Sequence, residues 1–154
     1  MARKIATETP VGLDELLDFI RTRHHWLLAT FRGDGGPQLS PVTGGVDRDG
    51  RLVVSTYPER AKTRNLRRDP RASVCVMSDD FGDAWVQVDG TATVTDMPEA
   101  EDGLVEYFRC IAGEHPDWDE YRRAMRIQGK SLLTIDIDRW GPIATGGFPP
   151  RLAG

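Results

Sequence analysis

The spacing of hydrophobic positions predicts that the chain opens with an amphipathic helix. Apolar residues fall at positions i, i+3, i+4 and i+7, which are Leu13, Leu16, Leu17 and Ile20. Acidic residues stand between them. This spacing places the apolar side chains on one face of a helix. We expect this helix to end near His24.

Three short strands are predicted to follow this helix. Apolar and β-branched residues dominate the segments 26–31, 37–46 and 51–56. The connections 32–36 and 47–50 are rich in glycine and aspartate, as turns are. Because connections of this length are too short for a parallel crossover, we expect the sheet to be antiparallel at its start.

The rest of the chain predicts three more strands and three helices. A short helix is expected over 61–68, because Pro70 disfavours helical geometry in the residue before it. Strands are expected over 72–77, 84–95 and 131–138, and helices over 98–112 and 118–125. The 84–95 strand alternates polar with small or apolar residues, so it has one face that packs and one that can line a site. Six strands with these helices predict an α+β fold with a closed or nearly closed antiparallel barrel.

Length and composition favour one domain over 1–154, with its core at about 13–138. No apolar run approaches the roughly 20 residues that a membrane-spanning helix needs. The N-terminal segment lacks the apolar stretch of a secretory signal, so a cytoplasmic location is expected. The only cysteines, Cys75 and Cys110, predict neither a disulfide framework nor a metal site.

Charge is distributed unevenly along the chain. The formal net charge is -4, yet the segment 60–71 holds six basic residues and one acidic residue. Nucleic-acid binding requires a broad basic face, and this chain has one short basic segment in an acidic background. The pattern therefore favours a small anionic ligand and argues against nucleic acid.

The basic segment has the chemistry of a phosphate site, because it begins where a strand ends and a helix starts. Helix N-termini present unpaired N–H groups and a positive dipole end. Arg60 supplies a guanidinium, Lys62 an ammonium and Thr63 a hydroxyl donor. The alternative is a solvated basic helix face. That alternative applies more strongly to the arginines further from the helix start, which are Arg64, Arg67, Arg68 and Arg71. Some of these arginines would steer a ligand or pair across a dimer.

The run 60–73, RAKTRNLRRDPRAS, resembles the signature of the pyridoxamine-phosphate-oxidase-like split-barrel superfamily. It is most similar to the actinobacterial branch that uses the deazaflavin coenzyme F-420. The segments GPQLSPV at 36–42 and IAGEHPDW at 111–118 match in the same order. The similarity extends from about residue 13 to residue 137, and the first motif is the more specific.

The resemblance implies a six-stranded antiparallel split β-barrel with flanking helices, working as a homodimer with cofactor sites at the subunit interface. Arg60, Lys62 and Thr63 would bind the cofactor phosphate, and Asn65 would support the loop. The residues that would border the ring are Gln38, Ser40, Pro41, Val42, Thr43, Ser55 and Thr56. Trp85 and Gln87 would come from the other subunit.

The activity implied is an F-420-dependent oxidoreductase that passes a hydride from the reduced cofactor to a small electron-poor acceptor. The cofactor carries such chemistry, so no catalytic residue is assigned. Tyr57 is a candidate proton donor, with a packing role as the alternative. The other functions considered are an FMN-dependent oxidase or reductase and a non-catalytic cofactor-binding protein. Gly44 and Gly45 depart from the family pattern, and indicate either a wider substrate opening or a kink in the barrel.

Overall fold

Six antiparallel strands close into a barrel in the computed structural model, which describes residues 3–154. The strand order around the barrel is β2-β3-β4-β7-β6-β5. The strands are β1 (Thr7–Thr9), β2 (His25–Phe31), β3 (Pro37–Val46), β4 (Leu52–Thr56), β5 (Arg71–Met77), β6 (Val86–Thr95), β7 (Ser131–Trp140) and β8 (Ile143–Thr145). The helices are α1 (Leu13–Arg21), α2 (Ala61–Arg68), α3 (Glu101–Ala112) and α4 (Trp118–Gln128). The predicted α+β barrel is confirmed.

The barrel interior is filled by the apolar side of each strand. Along β2 and β5, fully buried side chains alternate with half-buried ones, so that Leu28 lies opposite Val74 inside the barrel. Leu16 and Ile20 of α1 are also completely buried in this core. The helix ends at Arg21, earlier than predicted. His24 already belongs to the sheet, because its carbonyl accepts a hydrogen bond from the backbone N–H of Gly44.

Gly44 and Gly45 allow close packing on both sides of β3. A Cβ atom on Gly44 would overlap the ring of Trp26, and one on Gly45 would lie 2.9 Å from the Cβ of Cys110 in α3. The indole of Trp26, 1% exposed, occupies the space beside Gly44 and donates a hydrogen bond to the carbonyl of Arg23 at 2.7 Å. The two glycines therefore make room for a core side chain and for a helix. They do not form the wider substrate opening that the sequence suggested as one alternative.

Two short strands, β1 and β8, were missed by the sequence pattern and form a separate two-stranded sheet. Three residues are too few to establish an alternating pattern. The segment after β8 is tied to the start of the chain by backbone hydrogen bonds between Phe148 and both Lys4 and Ala6. Trp85 and Ala144 exchange both backbone hydrogen bonds, so this end of the chain is fixed against the start of β6.

Helices α3 and α4 pack outside the barrel around a second, smaller apolar cluster. Leu104 and Tyr107 of α3 meet Val53 and Leu132 there, while Tyr121 of α4 is only partly buried against them. Within residues 3–154, every helix is either too short or too polar to cross a membrane.

Candidate functional site

The barrel is closed between β3 and β4 by only a short pairing, and we call the unpaired stretch between these two strands the split. These strands pair only from Gly44 to Val46 on β3, opposite Val54 to Leu52 on β4. Where the strands diverge, the buried hydroxyl of Tyr107 donates a 2.7 Å hydrogen bond to the carbonyl of Thr43. Burial raises the pKa of Tyr107, and hydrogen bonding with Ser55 partly offsets the rise. Tyr107 therefore lies between the two strands at the start of the split.

Residues 37–43 of β3 pair with β2 on one edge, and within the described chain no strand pairs with their other edge. Their side chains alternate, with Gln38, Ser40 and Val42 half-buried and Leu39 and Pro41 exposed. The Oγ atom of Ser40 is buried without a hydrogen-bond partner among residues 3–154. An unpaired buried hydroxyl is unfavourable by itself. Because Ser40 lies opposite Leu28, which is fully buried, its side chain faces the barrel interior, and what the open edge offers a ligand is its backbone.

The N-terminus of α2 lies just beyond β4 and has the features of an anion site. The backbone N–H groups of Ala61 and Lys62 make no hydrogen bond within the described residues, whereas those of Thr63 and Arg64 bond back to the carbonyl of Arg60. No acidic side chain occupies the first turn of this helix. The two available N–H groups and the helix dipole therefore point towards any anion bound here.

Three cations lie near one another at this helix terminus, and two of them contact the ring of Tyr57. The guanidinium of Arg60 lies 5.6 Å from the centre of the Tyr57 ring, and the ammonium of Lys130 lies 4.3 Å from it. Burial lowers the pKa of Lys62, and the positive charges of Arg60 and Lys130 lower it further. Within residues 3–154, none of these three cations forms an ion pair. Their charge is uncompensated by the protein.

Thr63 and Thr56 face the interior of the protein, which differs from the predicted contact with the ligand. The hydroxyl of Thr63 is fully buried and donates to the carbonyl of Tyr57 at 2.8 Å. The Thr56 hydroxyl lies 3.1 Å from that of Thr63 and therefore donates to it. The physical reason is position, because the third residue of α2 turns towards the barrel while the first two face outwards. Thr63 thus holds the turn that carries Arg60 and Lys62.

Asn65 lies in a buried hydrogen-bond chain that joins α2 to the split. Its Nδ2 donates to the hydroxyl of Thr30 at 3.1 Å, and Thr30 donates to Oε1 of Gln38 at 3.2 Å. The Oδ1 atom of Asn65 accepts from Arg68 at 3.0 Å. Asn65 thus links α2 to β2 and β3, its role as a support of the phosphate loop stays a prediction, and Thr30 is a further residue of this chain that the sequence did not single out.

Most of the later arginines of the basic segment have partners in the protein. The Nη2 atom of Arg67 donates to both carboxylate oxygens of Asp96, at 2.7 and 2.8 Å, and this hydrogen bonding lowers the pKa of Asp96. Arg71 pairs with Asp69 at 2.7 Å. Arg64 is exposed and makes no side-chain hydrogen bond with another described residue. Of the four later arginines, Arg64 is therefore the one best able to meet a ligand.

Trp85 and Gln87 lie on a different side of the barrel from Arg60 and Lys62. Gln87 is opposite Cys75, which is opposite Leu27, which is opposite Pro41, so three strand spacings separate Gln87 from the open edge of β3. Within one chain, the structure does not bring this pair to the cations.

This side of the barrel carries a surface that we call the outer apolar face, formed by Leu27, Leu39, Pro41, Cys75, Met77, Phe81 and Trp85. Phe81 is 91% exposed, Leu39 62% and Trp85 41%. Part of the face is a cleft of about 470 Å³ that also includes Gly146. Clustered exposed apolar groups of this kind mark interaction surfaces.

Comparison of the sequence with protein-family models gives a match over most of the chain. A family model described as pyridoxamine 5'-phosphate oxidase matches residues 13–144.

Among solved structures, the chain is similar to the conserved hypothetical protein Rv2991 of Mycobacterium tuberculosis, with 26% identity, a TM-score of 0.71, and coverage of 89% of this chain and 87% of that one. It is also similar to an F420 reductase, with 20% identity, a TM-score of 0.61, and coverage of 86% and 98%. The heme storage protein HutZ of Vibrio cholerae has 17% identity, a TM-score of 0.63, and coverage of 86% and 96%. The last two similarities show a shared fold.

Proposed function

Because this chain belongs to the pyridoxamine 5'-phosphate oxidase family, we propose that it is an oxidoreductase that holds a phosphorylated flavin-type cofactor in the split between β3 and β4. We propose further that this cofactor is the deazaflavin coenzyme F-420, which when bound supplies a hydride for a small electron-poor acceptor. The chain's own contribution is to bind and orient the cofactor.

The observation that carries this proposal is the set of unpaired positive charges at the start of α2. Arg60 and Lys62 stand beside the two available N–H groups, without a carboxylate partner in residues 3–154. A solvated basic face has little reason to hold an ammonium half-buried among like charges. Charge-assisted hydrogen bonds from a guanidinium, an ammonium and two amides suit a phosphate group.

The open edge of β3 fits the ring end of such a cofactor. No strand of the described chain pairs with this edge along residues 37–43, so its outward-facing backbone groups border the split. The Asn65–Thr30–Gln38 chain fixes this edge relative to α2. The site therefore has rigid supports at both ends, which is what positioning a reactive ring requires.

The choice of F-420 over FMN is supported by the motif 60–73, which is most similar to the deazaflavin branch, and by the shared fold of an F420 reductase. Exposed Arg64 adds a positive charge one turn beyond the phosphate position. A cofactor with carboxylates beyond its phosphate uses this charge, whereas FMN ends at its phosphate. FMN remains the second candidate.

The test is a fluorescence titration of the purified protein with F-420 and, separately, with FMN. We expect F-420 to bind more tightly, and we expect Lys62→Ala to weaken binding about tenfold through loss of one charge-assisted bond. The matched control is Arg123→Gln, which removes an exposed positive charge from α4 without an ion-pair partner among the described residues. Equal affinity of Lys62→Ala and the parent would show that the phosphate is held elsewhere.

We also propose that the protein is a homodimer whose outer apolar face is covered by a second copy. The face adjoins the open edge of β3 through Leu39 and Pro41 and extends across the barrel to Trp85. In a two-fold dimer the same patch meets itself, so each chain can bring its Trp85 and Gln87 towards the open edge of the other. This arrangement would complete each cofactor site with residues that one chain cannot supply.

The dimer is tested by replacing an exposed residue of that face. Leu39→Lys leaves the core intact, because Leu39 is 62% exposed, and places a charge where a second copy would bury it. We expect light scattering to show a dimer for the parent and a smaller species for the variant, together with weaker cofactor binding. A monomeric parent that binds cofactor fully would contradict the proposal.

A non-catalytic cofactor-binding protein is favoured by one observation. The hydroxyl of Tyr57 donates to Oε1 of Gln128 at 3.2 Å, so the candidate proton donor from the sequence already has an acceptor. The fold is also that of a heme storage protein. Rapid oxidation of reduced F-420 by a quinone or nitroaromatic acceptor in the presence of the protein would exclude this candidate, and binding without turnover would support it.

A further inference from the structure

The end of α4 reaches the anion site, although it is more than sixty residues away in sequence. Thr56, the last residue of β4, pairs with Ser131, the first residue of β7. The residue before Ser131 must therefore lie beside the residue after Thr56. That geometry brings Lys130 to Tyr57, with its ammonium 4.3 Å from the centre of the ring.

Tyr57 contacts both cationic segments at once. Its ring lies under the guanidinium of Arg60 at 5.6 Å, and its hydroxyl donates to Gln128 at 3.2 Å. Cation–π contacts at these distances are attractive, and an aromatic ring restricts where the cation sits. Tyr57 is thus a common support for Arg60 at the start of α2 and for Lys130 in the short connection between α4 and β7.

The placement of Lys130 adds a third positive charge that the protein does not compensate. It lies close enough to Lys62 to lower the pKa of that ammonium, after burial and Arg60. Like charges held together cost free energy unless an anion joins them. An arrangement of three cations suits a ligand with at least two negative charges at this end.

We propose that Lys130 is a third anion-binding residue of the site and that Tyr57 is its positioning residue. The ligand class is an anion with two or more negative charges near α2, either a phosphomonoester or a phosphodiester with a neighbouring carboxylate. This inference rests on the proposed function, because it concerns the phosphate end of the same site.

The main test compares Lys130→Gln with the parent in titrations with F-420 and with FMN. We expect Lys130→Gln to weaken binding about tenfold, as removal of one charge-assisted contact does. Arg123→Gln, on the helix α4 that precedes Lys130, should change affinity less than about twofold. A loss of affinity for both cofactors would identify the phosphate as the group that Lys130 contacts. A loss of affinity for F-420 alone would identify a carboxylate beyond the phosphate.

The role of Tyr57 is tested separately from that of a merely structural ring. Tyr57→Phe keeps the ring and should retain most of the affinity, whereas Tyr57→Leu should lose most of what Lys130→Gln loses. In the Lys130→Gln background, Tyr57→Leu should cost less affinity than it does in the parent, because only its contact with Arg60 is then left to lose. Additive losses would overturn the positioning role.

A third measurement separates failure of this inference from failure of the proposed function. Pyrophosphate, an anion without a ring, should raise the melting temperature of the parent and raise it less for Lys130→Gln. If Lys62→Ala loses binding and Lys130→Gln does not, only the role of Lys130 is overturned. If neither cofactor binds but pyrophosphate raises the melting temperature of the parent more than that of Lys130→Gln, the proposed anion site is supported and the proposed cofactor is overturned. If nothing stabilises the parent, both are overturned.

Discussion

Replacing Thr63 with valine tests whether this residue contacts the ligand or holds the turn. Valine has nearly the shape of threonine, so the change removes the hydroxyl with little change in packing. The hydroxyl donates to the carbonyl of Tyr57 at 2.8 Å and accepts from Thr56 at 3.1 Å. The Tyr57 carbonyl keeps a second bond, from the backbone N–H of Arg60 at 3.2 Å. The buried hydroxyl of Thr56 loses its only side-chain partner among residues 3–154.

The expected cost follows from these contacts. A neutral hydrogen bond contributes about 0.5–1.5 kcal/mol net, and a buried hydroxyl left unpaired costs about 1–3 kcal/mol. Because the added methyl group of valine recovers part of this by apolar burial, the expected loss is about 1.5–3 kcal/mol. For a domain of this size, 1 kcal/mol shifts the melting temperature by about 2–4 °C, so the shift should be roughly 3–12 °C.

The assay is thermal unfolding followed by circular dichroism, with cofactor affinity measured well below the transition. We expect Thr63→Val to lose stability and to keep its affinity for cofactor within about threefold of the parent, because the hydroxyl faces inwards. Thr63→Ser, which keeps the hydroxyl, is the matched control. A variant with the parent's melting temperature and an affinity as poor as that of Lys62→Ala would refute the inward orientation.

The remaining predictions concern packing and charge. Gly44→Ala should cost about 1–3 kcal/mol in urea unfolding because its Cβ would overlap the Trp26 ring, whereas Gly141→Ala, with nothing within 4 Å, should be nearly neutral; equal midpoints would contradict this. Lys62 has a lowered pKa, so charging it costs stability, and the free energy of unfolding should rise with pH as this ammonium loses its proton. Anion binding should restore the pKa, so calorimetry in alkaline buffers of different ionisation enthalpy should detect proton uptake in the parent and not in Lys62→Gln. Trp118→Ala should lower stability by about 1–3 kcal/mol through loss of ring contacts, and a parent-like urea midpoint would contradict that role.

Local sequence signals were sufficient for the elements that border the site. The strand Pro37–Val46 and the helix Ala61–Arg68 have the bounds expected from the sequence. In both cases proline and turn residues mark the ends, and such signals act within a few residues. The position of the basic segment at a helix start was predictable for the same reason.

Contacts between distant segments were not predictable in this way. Lys130 reaches the site only because Thr56 pairs with Ser131, and nothing in either segment alone specifies that register. The direction of Thr63 depended on which side of α2 meets the barrel, and basic residues dominate the pattern of that helix. A sequence signal for Lys130 did exist, since it is a lone cation directly before a predicted barrel strand, but its significance required the strand order.

The second family motif, at 111–118, acquires a role through this geometry. No residue of α4 is fully buried, so the helix depends on contacts at its start and along its side. Phe108, His115, Trp118 and Tyr121 form one cluster in which all ring centres lie 5.1–5.7 Å apart. Arg122 and Arg126 of α4 also pair with Glu101 of α3.

These contacts fix the start of α4 and therefore the direction of the whole helix. At its other end Gln128 contacts Tyr57, and Lys130, two residues further along the chain, contacts the same ring. A change in the aromatic cluster should therefore weaken anion binding without touching the ligand. This loss of anion affinity should vanish when Lys130 is already replaced, because no cation then follows α4 at the site. The loosely matching motif and the specific one thus act on the same site. The first supports the helix that leads to Lys130, whose position is set by the pairing of Thr56 with Ser131, and the second supplies the other two cations.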